Sequence, residues 1–101
     1  MLRLMIVDDE QIIREALSSM IDYTSLGYEV IATAKNGMEA YDRIRDDYPD
    51  VVITDIKMPF MDGLSLSEIV KEELPKARII IISGYDDFEY ARQAIKIGID
   101  Q

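Results

Sequence analysis

The sequence predicts an α/β protein, a doubly wound parallel sheet with helices on both faces. Three observations carry that prediction. Short apolar runs alternate with longer stretches of helical periodicity in the order βαβαβαβα, the pattern of parallel strands joined by right-handed crossovers. Two of the runs, Leu2 to Val7 and Val51 to Thr54, end in carboxylates, Asp8-Asp9 and Asp55. A third run, Arg78-Ile79-Ile80-Ile81-Ile82, places four isoleucines in succession, which suits a strand covered on both faces.

Taken in order, Leu2 to Val7 reads as a buried strand closed by an acidic break. A helix follows over roughly Glu10 to Asp22, with Ile12, Ile13, Ala16, Leu17, Met20 and Ile21 forming its apolar face. Tyr23 to Gly27 is a loop. Tyr28 to Ala34 alternates in part, as an edge strand does, and Asn36-Gly37 signals a turn. The second helix, roughly Met38 to Asp46, buries Ala40, Tyr41 and Ile44 and stops before Tyr48-Pro49. Val51 to Thr54 is the third strand and delivers Asp55. The loop Ile56 to Gly63 is unusually apolar. The third helix runs from about Leu64 to Leu74, with Leu66, Ile69, Val70 and Leu74 as core candidates, and Pro75 ends it. After the isoleucine strand come Ser83 and Gly84. A fourth helix is expected over Phe88 to Ile97, capped by Asp87 and closed by Gly98.

A chain of 101 residues fits one domain, 1–101, and such a chain buries about two-thirds of its unfolded surface. Cysteine and histidine are both absent, which removes disulfides, thiolate sites and imidazole ligands and leaves hard-cation oxygen sites open. The net charge of −9 argues against a nucleic-acid backbone or an anionic membrane as main partner. The apolar start runs directly into Asp8-Asp9-Glu10, too soon for a signal peptide, and no apolar run reaches membrane-spanning length. The expected location is the cytoplasm.

Ligands of open α/β sheets bind beyond the carboxyl ends of the strands, where strand order reverses. Asp8, Asp9, Asp55 and Ser83 fall at such ends. The sequence carries neither a G-x-G-x-x-G dinucleotide fingerprint nor a P-loop. Three carboxylates at one sheet edge repel one another unless a cation sits among them. The chemistry that fits is phosphoryl transfer to a carboxylate, with an ionised Asp attacking phosphorus and a metal offsetting the negative charge. Mg²⁺ suits oxygen ligands, takes one or two carboxylates and keeps several waters. Asp9 and Asp55 can supply carboxylates, a backbone carbonyl near Lys57 a third ligand, and Asp8 can act through water. Ser83 can donate its hydroxyl to a phosphoryl oxygen. Each residue has a bland rival: Asp9 as a helix N-cap, Asp8 as an exposed turn residue, Asp55 as a loop cap, Ser83 as a strand-end hydroxyl and Lys57 as a solvated charge.

Ile6-Val7-Asp8-Asp9-Glu10, Val52-Ile53-Thr54-Asp55-Ile56-Lys57-Met58-Pro59, Met61-Asp62-Gly63 and Ile80-Ile81-Ile82-Ser83-Gly84 together resemble the receiver domain of bacterial two-component response regulators. The resemblance extends over essentially the whole chain. The run from Ser83 to Ala91 further resembles regulators that join a receiver to an AraC-type DNA-binding region. The resemblance implies a flavodoxin-like fold with strand order 2-1-3-4-5. It implies that Asp55 accepts a phosphoryl group from a histidine kinase, that Asp8 and Asp9 help bind Mg²⁺, and that Ser83 is the switch hydroxyl. Lys57 and Tyr85 would tune the rates of phosphorylation and dephosphorylation. The domain would be a signalling module whose only chemistry is its own phosphorylation, with no direct contact to nucleic acid.

The sequence also departs from that family. Receivers carry a fifth strand with an aromatic switch residue, a lysine before a proline, and a fifth helix, and the chain ends before them. It reads as a (βα)4 receiver truncated before strand five, with impaired phosphorylation for want of that lysine. The fourth strand becomes a sheet edge, which invites self-association or element exchange there. Two other readings compete. A haloacid-dehalogenase-like phosphatase also uses a strand-end Asp, but places an acid two residues later, where this chain has Lys57. An isolated α/β fragment without signalling activity is the third.

Overall fold

A computed structural model describes residues 1–56, 58 and 61–82. Its strands are β1 (Leu2–Val7), β2 (Tyr28–Ala34), β3 (Val51–Asp55) and β4 (Arg78–Ile82). The helices are α1 (Gln11–Ser19), α2 (Gly37–Asp47) and α3 (Gly63–Glu73), with a 3-10 turn at Thr24–Leu26. The strands form one parallel sheet in the order β2-β1-β3-β4. The chain steps outward from β1 to β2, then returns to place β3 on the other side of β1. The reversal of strand order therefore lies between β1 and β3. The flavodoxin-like doubly wound fold expected from the sequence is present.

Side chains alternate along each strand, so each face of the sheet takes every second residue. Met5, Val7, Val52, Ile79 and Ile81 share one face with Ala40 and Ile44 of α2 and Leu64, Leu66 and Val70 of α3. The apolar loop after β3 belongs to this core: Ile56 and Met58 are buried in it. That accounts for a loop so rich in apolar residues. The opposite face carries a smaller cluster of Leu4, Ile6, Val51 and Tyr23, joined by Leu17 of α1.

The caps of α2 and α3 are written in the sequence. Asn36 Oδ1 accepts from the Glu39 N–H at 2.8 Å, and Asp62 Oδ1 accepts from the Ser65 N–H at 2.8 Å. Asn36-Gly37 is thus a helix start as well as a turn signal. Helix α2 closes on Tyr48, whose φ of 47° is left-handed, rather than on the extended backbone usual before a proline.

Two expectations are corrected. The six-residue apolar face of the first helix is not a core face. Helix α1 ends at Ser19 and contains no buried residue, and Ile12 and Met20 are 82% and 81% exposed. Of the six, Leu17 packs against the sheet, and Met20 and Ile21 lie past the helix end. The isoleucine strand is not covered on both faces either. Ile79 and Ile81 are buried, while Ile80 and Ile82 are 39% and 36% exposed. The small cluster on that face does not reach across β4, and an open cavity bordered by Leu4, Tyr23, Leu26, Tyr28, Val51, Ile53 and Ile80 lies beside it. The expected fourth helix falls outside the described residues.

Candidate functional site

The register of β1 against β3 builds the site. Val7 pairs with Thr54, so the next residues, Asp8 and Asp55, emerge level at the carboxyl edge of adjacent strands. Asp9 follows in the loop to α1. One carboxylate oxygen from each of Asp8, Asp9 and Asp55 lies within 4.8 Å of the others. The structure brings together the three acids singled out from the sequence, at the topological switch point.

Their environments differ. Asp8 is 2% exposed, Asp55 half-buried and Asp9 exposed. The Asp8 N–H donates to the Ala34 carbonyl at 3.1 Å, which ties the strand end to β2. Asp8 Oδ1 accepts from the Glu10 N–H at 2.9 Å, and the Asp8 carbonyl accepts from Arg14 Nη1 at 2.8 Å. Asp55 Oδ1 accepts from the Ile56 N–H at 2.8 Å. Burial pushes the Asp8 carboxyl above its ordinary value, and the negative charge of Asp9 pushes the same way. The bond from Glu10 N–H and the charge of Arg14 oppose that rise.

These contacts weigh against two of the bland readings. Asp8 is not an exposed turn residue. Asp9 is not the N-cap of α1, because Glu10 holds that position and makes no side-chain capping bond. Lys57, Ser83 and Tyr85 lie outside the described residues.

Gly63 is a site residue that sequence reasoning passed over. A Cβ at Gly63 would collide with the Asp55 carbonyl oxygen and come within 3.1 Å of the Asp55 carbonyl carbon. Its N–H donates to the Ile56 carbonyl at 2.7 Å. The start of α3 therefore rests directly on the backbone that carries Asp55, and only glycine permits that approach. The adjacency Asp62-Gly63, a cap followed by the smallest residue, was the available signal.

All donors in the cluster are carboxylate oxygens, and they converge closely enough to share one small ion. The set fits a hard divalent cation such as Mg²⁺. A parallel α/β sheet with strand-end acids gathered at its switch point has its ligand site where open sheets of this kind bind. Comparison with known proteins narrows this. The family model described as "Response regulator receiver domain" matches residues 4–101, and the chain belongs to that family. It is 43% identical over 99 residues to the uncharacterized transcriptional regulatory protein YesN of Bacillus subtilis, covering 98% of this chain and 27% of that protein. The chain thus spans about a quarter of that relative's length. It superposes on the receiver domain of AraT, a response regulator from Geobacillus stearothermophilus, with a TM-score of 0.92. Identity there is 41%, over 98% of this chain and 77% of the other. A two-component transcriptional regulator AraC from Clostridium phytofermentans gives a TM-score of 0.88 at 38% identity, covering 95% of this chain and 74% of that one. The resemblance read from the sequence, including its AraC-type shading, is supported by these matches.

Proposed function

We propose that the chain is the phosphoacceptor domain of a two-component regulator, in which Asp55 takes a phosphoryl group from a histidine kinase in the presence of Mg²⁺. The observation that carries this reading is the convergence of the Asp8, Asp9 and Asp55 carboxylates at the β1–β3 switch point. Receiver domains typically bind Mg²⁺ at an acidic pocket of this kind.

Asp55 is the acceptor because it ends the central strand β3 and is held by its own backbone at Oδ1. A carboxylate oxygen of Asp55 attacks phosphorus, and the bond from phosphorus to the donor breaks as the acyl phosphate forms. Asp8 and Asp9 would hold the cation with Asp55, and a backbone carbonyl at Lys57 would add a ligand. The cation, when bound, offsets charge on the transferred oxygens. Ser83 then donates its hydroxyl to the phosphoryl group, while Lys57 and Tyr85 set how long the acyl phosphate lasts. Turnover of external phosphoesters is not part of the function, since the general-acid position two residues after Asp55 holds Lys57.

No helix among the described residues is long and apolar enough to cross a membrane. The proposed setting is the cytoplasm, with a kinase as partner and no direct contact to nucleic acid by this segment. Residues 1–101 act as one unit, and the polypeptide self-associates through β4. Support for that comes from the outermost place of β4 among the described strands and from the exposure of Ile80 and Ile82.

Mg²⁺ titration followed by amide chemical shifts tests the site. Shifts are expected at Asp8 to Glu10 and at Asp55 and Ile56, and they should vanish in an Asp9→Ala, Asp55→Ala double variant. Unchanged Mg²⁺ affinity in that variant overturns the assignment.

A further inference from the structure

The acidic pocket is built from two chain segments of unequal rigidity. Asp55 belongs to β3, clamped between β1 and β4 and backed by α3 through Gly63. Asp9 belongs to the short link from β1 to α1. Helix α1 is a weak anchor for that link. It has no buried residue, no side-chain cap at its N-terminus, no acidic residue in its first turn and no basic residue in its last. Ser18 and Ser19 turn their hydroxyls back onto the carbonyls of Arg14 and Glu15 at 2.7 Å, a bond that loosens helices slightly.

One side chain crosses that weak junction. Arg14, on the second turn of α1 and half-buried, reaches back six residues to the Asp8 carbonyl at 2.8 Å. The Asp8 N–H is committed to Ala34, its Oδ1 to Glu10 and its carbonyl to Arg14. Among the described residues, Oδ2 is the polar atom of Asp8 outside these three bonds. The rest of the Arg14 side chain borders a groove shared with Glu15, Ser18, Ser19 and Thr33, between α1 and β2.

We propose that Arg14 is the positioning residue of the acidic pocket: its bond to the Asp8 carbonyl fixes where the Asp8 and Asp9 carboxylates stand relative to Asp55, and so sets the affinity for a divalent cation. The bond does this in two ways. It locks the peptide between Asp8 and Asp9 and so removes freedom that cation binding would otherwise have to remove. It also places a positive charge behind a buried carboxylate whose neighbours are negative, without itself occupying the cation's position. The proposal rests on the reading of the cluster as a Mg²⁺ site.

Arg14→Met removes the guanidinium and keeps an apolar stem, and Arg14→Lys restores charge and one donor. In Arg14→Met the Mg²⁺ affinity should fall by about ten-fold, the scale set by loss of partners that orient metal ligands. In the metal-free protein the Glu10 amide should exchange faster, while amides of β3 and α3 keep their protection. Arg14→Lys should recover part of both effects. Wild-type Mg²⁺ affinity and Glu10 exchange in Arg14→Met overturn the proposal. So does a uniform loss of protection across β1, β3 and α3, which would make Arg14 a fold staple only. Should Arg14→Met fail to fold, the wild type decides: the Arg14 guanidinium signals and the Asp8 carbonyl carbon must shift together on Mg²⁺ addition, and guanidinium signals indifferent to Mg²⁺ overturn the proposal. A wild type with no Mg²⁺ response at all overturns the metal reading, a distinct result from a responsive wild type matched by Arg14→Met.

Discussion

Replacing Asp8 by asparagine is expected to stabilise the metal-free protein and to abolish its response to Mg²⁺. Asparagine keeps an oxygen for the Glu10 N–H and removes the charge. One carboxylate oxygen each of Asp8, Asp9 and Asp55 lies within 4.8 Å of the others, and a pair of unit charges at that distance repels by about 3.5 kcal/mol at an effective dielectric of 20 and by about 0.9 kcal/mol in water. Asp8 takes part in two such pairs. Because Asp9 is exposed, its term lies near the lower value while that of Asp55 lies between the two, and the gain from Asp8→Asn is about 2–4 kcal/mol. For a domain of this size each 1 kcal/mol moves the melting temperature by about 4–8 °C.

The pH dependence has a defined sign. The folded Asp8 carboxyl titrates above its ordinary value of 3.8, chiefly through burial. The native state therefore holds that proton to higher pH than the unfolded chain does. Wild-type stability falls as pH rises from 3.8 through the raised folded value, and the penalty is complete above it. The advantage of Asp8→Asn should accordingly be full at neutral pH and vanish below 3.8. Chemical denaturation in EDTA across that range, repeated with Mg²⁺, is the assay. Added Mg²⁺ should raise the stability of the wild type by mass action and leave the variant unchanged. A wild type as stable as Asp8→Asn in EDTA at neutral pH, or a gap that persists in acid, would refute the reasoning.

Other substitutions follow from the same geometry. Gly63→Ala drives a methyl group into the Asp55 carbonyl and should cost about 2–4 kcal/mol in denaturant unfolding, because backbone meets backbone and neither can rotate away. Gly27→Ala meets open space but must hold a φ of 88°, so its cost should be nearer 1 kcal/mol by the same measurement. Asn36→Ala and Asp62→Ala each remove a capping bond and should lose about 1 kcal/mol by the same measurement. Sedimentation of the 101-residue polypeptide over a concentration series should show association, and a monodisperse monomer throughout contradicts pairing through β4.

Much of this was legible in the sequence because the determining signals are local. The strand runs, the order of elements and the convergence of Asp8, Asp9 and Asp55 follow from apolar runs that end in acids within a parallel αβ alternation. What was hidden is tertiary. Four successive isoleucines carry no period, so β4 could not reveal that Ile80 and Ile82 would stay exposed while Ile79 and Ile81 were covered. The apolar arc of α1 was wide enough to suggest a core face, and only the packing shows that Leu17 reaches the sheet while Ile12 and Met20 do not. The close approach of Gly63 to Asp55 depends on where α3 begins in space. The tie from Arg14 to the Asp8 carbonyl has no recurring spacing to announce it.

The most direct test of the central claim is to locate the phosphoryl group. The polypeptide is incubated with a small acyl-phosphate donor and Mg²⁺, alone and extended to the length of the receiver domains it matches, and the adduct is mapped by mass spectrometry. One adduct is expected, labile to mild alkali, confined to the peptide containing Asp55, and absent in EDTA and in Asp55→Asn. Labelling at another residue, equal labelling in Asp55→Asn, or none in either polypeptide would contradict Asp55 as the acceptor.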